Sequence, residues 1–321
     1  MNRPAAKARQ RGIAALTAIL VVAIATVLAV NLLWHTSVDI RRTETLLTQD
    51  QARQYNLGAE EGAKLLLAQD ARDSGPGGTD SLDEPWAAPQ LRQFEAGVLQ
   101  GQLTDLQGRF DLNSLVTGDK RNPEKAQQYQ QLLTLLELER PLDSGTAAAL
   151  TDATIDWIDA NSYVGPNGAE DDLYTSREPP YRPANFWFVS TSELLAVEGY
   201  TPEIYAALER YVTALPPPTN GQPWALNVNT AEAPVLEALL SASGSSANVP
   251  PLPRGPYTDV QDFLSEINFT GQAPPNALGL SSSWFLLTVS TSVGETRSTM
   301  YSLLERNDDV VRTRLRSFDA N

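Results

Sequence analysis

The hydrophobic pattern of the chain begins with an uncharged, largely apolar run at residues 13–33. A helix of about 20 apolar residues spans the hydrocarbon core of a bilayer, whereas the apolar part of a secretory signal peptide has about 7–15 residues. The run therefore predicts a membrane-spanning helix, and its length favours an anchor that stays in the membrane.

The helical pattern continues past the predicted membrane span, through residues 34–74, which contain no proline. Large apolar residues recur there at roughly helical spacing: Leu46, Leu47, Tyr55, Leu57, Leu65, Leu66 and Leu67. We expect one continuous helix of about 60 residues, half of it in lipid and half packed on the body of the protein. The loop-forming residues of segment 74–86 predict its end.

Strand patterns occur in two separate parts of the chain. Residues 90–121 predict two short strands around a turn at 105–108, with inward-facing Val98, Leu103, Phe110 and Leu112. Residues 280–321 alternate as antiparallel strands do, for example at Phe285, Leu287, Val289 and Met300. Between them, residues 122–279 show several segments of helical spacing, most of them closed by proline. The pattern predicts an α+β fold, in which a long N-terminal helix packs on an antiparallel sheet and a large helical domain is inserted between strands.

The charges around the apolar run predict the orientation of the helix. Four basic residues and no acidic residue precede it: Arg3, Lys7, Arg9 and Arg11. By the positive-inside rule, the N-terminus stays in the cytoplasm and the body lies on the other side of the membrane. Beyond residue 42 the chain has 18 basic against 38 acidic residues, so we expect it to repel nucleic acid and anionic lipid.

Composition limits the chemistry that the body can perform. Cysteine is absent and the single histidine is His35, next to the membrane span, so disulfides, thiolate sites and a Ser-His-Asp triad are excluded from the body. Paired carboxylates such as Asp156 and Asp159 are compatible with glycoside hydrolysis, but the sequence does not fix the carboxyl separation that this reaction requires. We expect no enzymatic activity.

An acidic loop at residues 156–174 is the strongest candidate for a metal site. Asp156, Asp159 and the run Glu170, Asp171 and Asp172 flank a Gly-Pro-Asn-Gly turn at 165–168. Calcium takes about 6–8 oxygen ligands, and a glycine-bearing loop lets backbone carbonyls turn towards the ion. The spacing is not that of an EF-hand, so the residues alone leave both a calcium site and a solvated acidic loop open.

Two segments, 190–208 and 226–240, have the pattern of helix-hairpin-helix elements. In the second, Asn229 opens an Asn-Thr-Ala stretch that suits a helix cap. The first hairpin, around Gly199, is acidic and lacks a second glycine, so it cannot form a phosphate cradle. We interpret both segments as packing elements rather than as a DNA-binding site.

Gly12 stands between the basic leader and Ile13, and no A-x-A-like site follows the apolar run. This junction resembles the signal of type IV pilins and type II secretion pseudopilins, in which a prepilin peptidase cleaves after the glycine and methylates the new N-terminus, here Ile13. Most members carry glutamate at the fifth mature position, where this chain has Thr17. The missing glutamate and the long chain resemble the K minor pseudopilin in particular. An ordinary single-pass anchor with a chance glycine is the alternative.

This resemblance covers nearly the whole chain and implies a division into six parts. These are a leader at 1–12, a transmembrane helix at 13–33, its periplasmic continuation at 34–74, the first pilin-like strands at 90–121, an inserted helical domain at 122–279, and the last strands at 280–321. The segment from Trp157 to Tyr174 resembles the calcium-binding segment of K pseudopilins. On that basis we expect Ca²⁺ on Asp159, Glu170, Asp171 and Asp172, with Asn161, Asn167 and Glu193 as further ligands.

The resemblance also implies function and location. We expect a minor pseudopilin of the type II secretion system that joins the I and J minor pseudopilins in a tip complex, which initiates and caps the pseudopilus for protein export across the outer membrane. The major pseudopilus subunit and the prepilin peptidase are further expected partners, and the protein is expected to cross the inner membrane once, with its body in the periplasm. The alternative is a calcium-binding or hydrolytic periplasmic domain on an uncleaved anchor.

Overall fold

A computed structural model describes residues 7–75, 78–219, 221–242, 247–273 and 276–318, with side chains from residue 13 onward. Its α-helices are α1 (Lys7–Ser74), α2 (Pro123–Thr134), α3 (Ser144–Ile158), α4 (Asp171–Thr175), α5 (Pro202–Leu208), α6 (Ala233–Ser241) and α7 (Val260–Glu266). Its strands are β1 (Gln90–Phe94), β2 (Gly97–Asp105), β3 (Phe110–Asp111), β4 (Val116–Thr117), β5 (Lys120–Arg121), β6 (Val212–Thr213), β7 (Leu226–Asn227), β8 (Leu278–Gly279), β9 (Trp284–Val293), β10 (Thr296–Asn307) and β11 (Val310–Phe318). Two 3₁₀ helices cover Leu112–Leu115 and Thr191–Ala196.

Helix α1 is a single uninterrupted helix of 68 residues, as the sequence predicts. From Ile13 onward it is long and apolar enough to span a membrane, and the residues of its apolar window are fully exposed. Contact with the body begins near Thr48, whose hydroxyl lies 2.9 Å from that of Thr296. The helix stops at Gly75, which has a φ of +70° and donates its N–H to Ala71 O, as a left-handed C-terminal cap does.

The second half of α1 packs on a five-stranded sheet in the order β1-β2-β9-β10-β11, in which every pairing is antiparallel. The layer between them is apolar, and its fully buried members include Leu67, Trp86, Phe285 and Met300. This is the predicted long helix on an antiparallel sheet, and the helical segments lie between β2 and β9 as expected.

Strands β2 and β3 flank the predicted turn at 105–108, but they do not pair with each other. Strand β2 pairs instead with β1, and Phe110 belongs to the short strand β3, which runs parallel to β6 in the insert. Chain direction changes at Asp105, whose carboxylate accepts the N–H of Gln107 at 2.7 Å in an Asx-type turn. Of the four predicted inward residues, Val98 and Leu103 lie in β2, whereas Phe110 and Leu112 enter the core of the insert.

The insert has a core of its own, which α2, α3 and α6 build with the fully buried Tyr129, Leu132 and Leu236. Its helices start at side-chain caps: Asn122 accepts the N–H of Lys125 ahead of α2, and Thr201 accepts that of Ile204 ahead of α5. The helix that the spacing predicts across 201–216 ends at Leu208, because the chain then turns into β6 to pair with β3.

Candidate functional site

The last two turns of α3 bring Asp152 and two carboxylates of the acidic loop onto one face of the helix. Asp152, Asp156 and Asp159 are separated by four and three residues, so they lie one above another. All three are buried. Asp152 is neutralised by an ion pair with Arg121, whereas Asp156 and Asp159 have no cationic partner among the described residues.

The loop that follows α3 folds back over Asp156. The Asp156 carboxylate accepts the N–H of Gly165 at 2.9 Å, and Asp159, the C-terminal cap of α3, accepts that of Asn161 at 3.2 Å. A Cβ atom on Gly168 would lie 1.9 Å from Asp156 Oδ2. Glycine in the turn therefore lets the backbone approach the Asp156 carboxylate more closely than a residue with a side chain could.

Glu170 is the least satisfied group of the loop. Its side chain is 3% exposed, and neither carboxylate oxygen has a hydrogen-bond partner in the described part of the chain. Burial, followed by the charges of Asp156 and Asp159, raises the pKa of Glu170 to about 7. Burial also raises the pKa of Asp156 to about 6, with a further contribution from Asp159. Three buried carboxylates thus repel one another at a point where a cation would neutralise them.

Three further predicted ligands border this group. Asp171, in the first turn of α4, is half-exposed and lies 3.9 Å from the guanidinium of Arg182, while Asp172 is exposed. Asn161 already uses its side-chain oxygen to accept the N–H of Tyr163 at 2.8 Å. These residues are near the buried carboxylates in sequence, and α4 places both aspartates in the turn that begins beside Glu170.

The remaining two predicted ligands have structural partners. Asn167 donates both its backbone N–H and its side-chain amide to Asp152 Oδ2, at 3.3 and 3.0 Å. Glu193 accepts the N–H groups of Val189 and Ser190 at 2.8 and 3.0 Å, as the returning half of a capping box. Asp156, by contrast, was left out of the predicted ligand set although its spacing from Asp159 placed it on the same helical face.

The tightest carboxylate group among the described residues lies elsewhere. Oxygen atoms of Asp70, Asp80 and Glu84 come within 4.8 Å of one another. Arg306 reaches into this group, with Nη1 2.9 Å from Asp70 and Nη2 2.6 Å from Asp80 Oδ1. The guanidinium already supplies the positive charge, so this cluster is an ionic bridge between α1, the following loop and β10.

The second helix-hairpin-helix-like segment lies at the junction between sheet and insert. The buried amide of Asn227 donates to Asp105 Oδ2 at 3.1 Å and to Ser282 Oγ at 3.0 Å. The first segment forms a 3₁₀ helix and then a turn at Gly199, which has a φ of +84°. Both segments serve packing in this structure, in line with their interpretation from sequence.

The N-terminal junction is helical. The backbone of α1 runs through Gly12 and Ile13, and residues 1–6 of the predicted leader lie outside the described residues. Thr17 bonds its hydroxyl to Ala14 O at 3.0 Å within the same helix. The fifth residue after the predicted cleavage point therefore carries no charge, and its hydroxyl already has a hydrogen-bond partner in its own helix.

Known proteins resemble this chain along most of its length. The family model described as type II secretion system protein K matches residues 108–217. Type II secretion system protein K of Pectobacterium carotovorum subsp. carotovorum is 32% identical, with 97% of each chain covered. The protein of the same name from Klebsiella pneumoniae is 34% identical, with 93% of each chain covered.

The fold also matches a solved structure. A chain in the crystal structure of the GspK-GspI-GspJ complex from the enterotoxigenic Escherichia coli type 2 secretion system has a TM-score of 0.72 and 24% identity, and the match covers 87% of this chain and 100% of that one. The identity, the coverage and the shared fold lead to one assignment: the chain belongs to the type II secretion system protein K family, the minor pseudopilins of that system.

Proposed function

We propose that this minor pseudopilin forms a complex with the I and J minor pseudopilins, which initiates the pseudopilus in the inner membrane and then caps its tip during export across the outer membrane. The position of the insert carries this proposal. The chain leaves the sheet after Asp105 and returns at Trp284, where Leu106 N–H bonds to Trp284 O at 3.0 Å. Both crossings lie at the end of the sheet that Arg306 ties to Asp70, near the C-terminal end of α1.

That end of α1 is far from the membrane. Asp70 follows Leu33, the end of the apolar run, by 37 residues, which is about 55 Å of helix at 1.5 Å per residue. The insert therefore sits above the helix and sheet unit, in the space that a subunit stacked above would need. A chain built in this way suits the end of a filament and not its middle.

The membrane helix supports the same position. In the pilin-like families, the fifth-position carboxylate is proposed to engage the N-terminus of a neighbouring subunit. Thr17 has no charge and spends its hydroxyl on Ala14 O. A subunit without this carboxylate has no charge that must be neutralised by a subunit assembled before it, which suits the first subunit of an assembly.

Processing and location form part of the proposal. The basic leader holds the N-terminus in the cytoplasm, the prepilin peptidase cleaves after Gly12 and methylates Ile13, and the body lies in the periplasm. The major subunit then adds below the tip complex.

We also infer that the acidic loop holds Ca²⁺. Neither carboxylate oxygen of buried Glu170 has a hydrogen-bond partner among the described residues, and Asp156 and Asp159 lie close enough to raise its pKa. Oxygen donors of this kind fit a hard divalent cation. Asp156, Asp159 and Glu170 would hold the ion from the buried side, with Asp171 and Asp172 completing the set. Bound calcium would supply the charge that this end of α3 lacks.

The test is a chromosomal deletion of the gene, complemented by the full chain or by a chain whose insert, 122–279, is replaced by a short linker. We expect the deletion to abolish secretion and pseudopilus initiation, and only the full chain to restore both. Intact secretion in the deletion strain would overturn the proposal. Mass analysis of the membrane protein with and without prepilin peptidase tests processing, because the alternative of an uncleaved anchor predicts an N-terminus at Met1 in both strains.

A further inference from the structure

Strand β11 is an open edge of the sheet. The strand order places β1 and β11 on the two outer sides, and β11, with nine residues, is the longer of the two edge strands. In the described part of the chain, β11 pairs with β10 and with no further strand. The pairing with β10 has a bulge at Arg314, and on either side of it the edge presents backbone N–H and C=O groups to a neighbour.

The side chains of β11 are basic in an otherwise acidic protein. The strand contains Arg312, Arg314 and Arg316 and no carboxylate, whereas the whole chain has a net charge of −15. Arg316 points towards α1, where it bonds to Glu60. Arg314 bonds to Glu305 of β10 at 2.6 Å, and Arg312 makes no ion pair with any described residue.

The outer face of β11 also exposes apolar side chains. Val310 and Leu315 are 48% and 46% exposed, and the exposed Arg312 and Arg314 lie between them. Cross-strand partners on the same face of a sheet interact most favourably when charges are opposite and apolar groups meet. A matching strand would therefore carry carboxylates opposite Arg312 and Arg314 and apolar residues opposite Val310 and Leu315.

The direction of β11 decides what can reach it. Phe318, at its C-terminal end, packs under the guanidinium of Arg53, and Asp309, just before its start, lies 3.7 Å from Arg72. The strand thus runs alongside α1 from residue 53 to residue 72, roughly 30 to 58 Å beyond Leu33 at 1.5 Å per helical residue. Lipid headgroups end well short of that height, and charges in physiological salt are screened within about 8 Å. The edge therefore lies beyond the reach of the membrane surface, and a ligand at this height is a protein.

We propose that the outer edge of β11 docks an extended, acidic segment of a neighbouring membrane-anchored subunit, which adds to the sheet as a sixth strand. The inference rests on the proposed assembly role, because only a neighbour whose body stands upright beside α1 presents a segment along this edge. A second copy of this chain does not fit, since its own β11 would set arginine against arginine.

The test uses the full chain in cells that contain the intact secretion system. A photo-crosslinking p-benzoylphenylalanine replaces Leu315 on β11 or, as the control, Gln93 on the opposite edge strand β1. Mass spectrometry identifies the crosslinked peptides. We expect Leu315 to crosslink to one segment of an I, J or major pseudopilin subunit that contains alternating acidic residues, and Gln93 not to crosslink to it.

A charge-reversal series then tests the electrostatic match. The double variant Arg312→Glu/Arg314→Glu should lower the Leu315 crosslink yield at least about fivefold, because each reversed rim charge turns an attraction into a repulsion. The same reversal at Arg297→Glu, on β10 beyond the end of β11, should leave the yield unchanged. Replacing the carboxylates of the crosslinked segment by arginine should restore the yield of the double variant. The neutral double variant Arg312→Gln/Arg314→Gln removes both positive charges without placing new carboxylates beside Glu305. It therefore separates a loss of docking from a loss of folding caused by those carboxylates.

Each outcome decides the inference. Crosslinks to lipid, to non-acidic segments or to nothing above the Gln93 control mean that the arginines only protect the edge from unwanted pairing, and the inference is then wrong. If the I and J proteins still co-purify with the chain in that case, the proposed function stands without it. If they do not co-purify with the unmodified chain, the proposed function itself fails.

Discussion

Glu60 of α1 and Arg316 of β11 form a two-pronged ion pair, with Nε 2.9 Å from Oε2 and Nη2 2.7 Å from Oε1. Thr313 donates its hydroxyl to the same carboxylate at 2.7 Å. Residues three apart in a regular strand point to opposite faces, yet the register shifts between Leu303 and Leu304 and leaves Arg314 as the extra residue of a bulge. The bulge turns both side chains towards α1 and fixes the helix against the sheet.

Replacing Glu60 with glutamine should destabilise the protein by about 2–3 kcal/mol near neutral pH. Burial alone would raise the pKa of Glu60, but hydrogen bonds from Arg316, Ser302 and Thr313 together with the Arg316 charge lower it to about 2. A folded-state pKa below the unfolded value gives stability that is present above about pH 4.5 and lost as pH falls towards 2. Urea unfolding of the full chain in detergent at pH 7 and pH 3 measures both effects.

Glu61→Gln is the matched control for this experiment. Glu61 is the next residue of α1, but it is exposed, and its one ion pair within the described part of the chain is with Lys64 at 2.7 Å. Its loss should change the unfolding free energy by less than about 0.5 kcal/mol. Equal losses in the two variants would show that Glu60 does not hold α1 on the sheet.

Calcium should stabilise the protein more at pH 8 than at pH 5.5. The pKa values of Glu170 and Asp156 are raised to about 7 and about 6, above their unfolded values, so the metal-free fold is favoured by their protonation below about pH 4.5. That stability is lost as pH rises through 6 and 7. In chelator, the melting temperature should decrease as pH rises over this range. At pH 8, Ca²⁺ at 100 times its Kd should raise the melting temperature by about 5–10 °C.

Two variants separate this site from general effects of charge. Glu170→Gln should flatten the pH dependence in chelator and remove most of the calcium-induced rise in melting temperature. Glu178→Gln, an exposed carboxylate shortly after α4, should behave like the unchanged chain. A calcium response that survives in Glu170→Gln would place the ion elsewhere.

Gly168→Ala should prevent the acidic loop from closing. The new Cβ would lie 1.9 Å from Asp156 Oδ2, whereas one at Gly165 would lie 3.0 Å from Asp156 Oδ1. The first contact requires the Asp156 carboxylate or the loop to shift, and the second needs only a small adjustment. We expect calcium affinity, measured by titration calorimetry, to fall at least about tenfold in Gly168→Ala, with a smaller loss in Gly165→Ala. The opposite ranking would contradict the close approach of the loop to Asp156.

The sequence predicted the large features of the fold because each rests on a long periodic signal. The apolar run at 13–33 and the proline-free continuation gave α1, and the alternation in β9 and β10 gave the centre of the sheet. The turn at 105–108 was predicted, but the pairing of β3 with β6 was not, because it joins residues that are far apart in the sequence. The bulge at Arg314 leaves no local signature, since it is defined by pairing with β10.

The candidate site was predicted in part. Local spacing places Asp159 and Glu170 on the two sides of a glycine-bearing turn, and their role as calcium ligands stays a prediction. The role of Glu193 was readable from sequence, because Ser190 three residues before it completes a capping-box motif. The sequence does not show which of these carboxylates are buried. Burial distinguishes Glu170, whose carboxylate oxygens have no hydrogen-bond partner among the described residues, from the exposed Asp172.

Arg306→Met should be among the most damaging single changes in the body, at about 3–5 kcal/mol, because it leaves the buried carboxylate of Asp80 facing the partly buried carboxylate of Asp70 without a cation. Adding Asp70→Asn and Asp80→Asn to the same chain should recover most of the loss, since neutral side chains no longer repel. Arg312→Met, an exposed arginine on the neighbouring strand, is the control and should be nearly neutral. Denaturant unfolding of the four chains measures the coupling. If the triple variant is no more stable than Arg306→Met, the bridge between α1, the loop and β10 acts through packing of the arginine stem and not through charge.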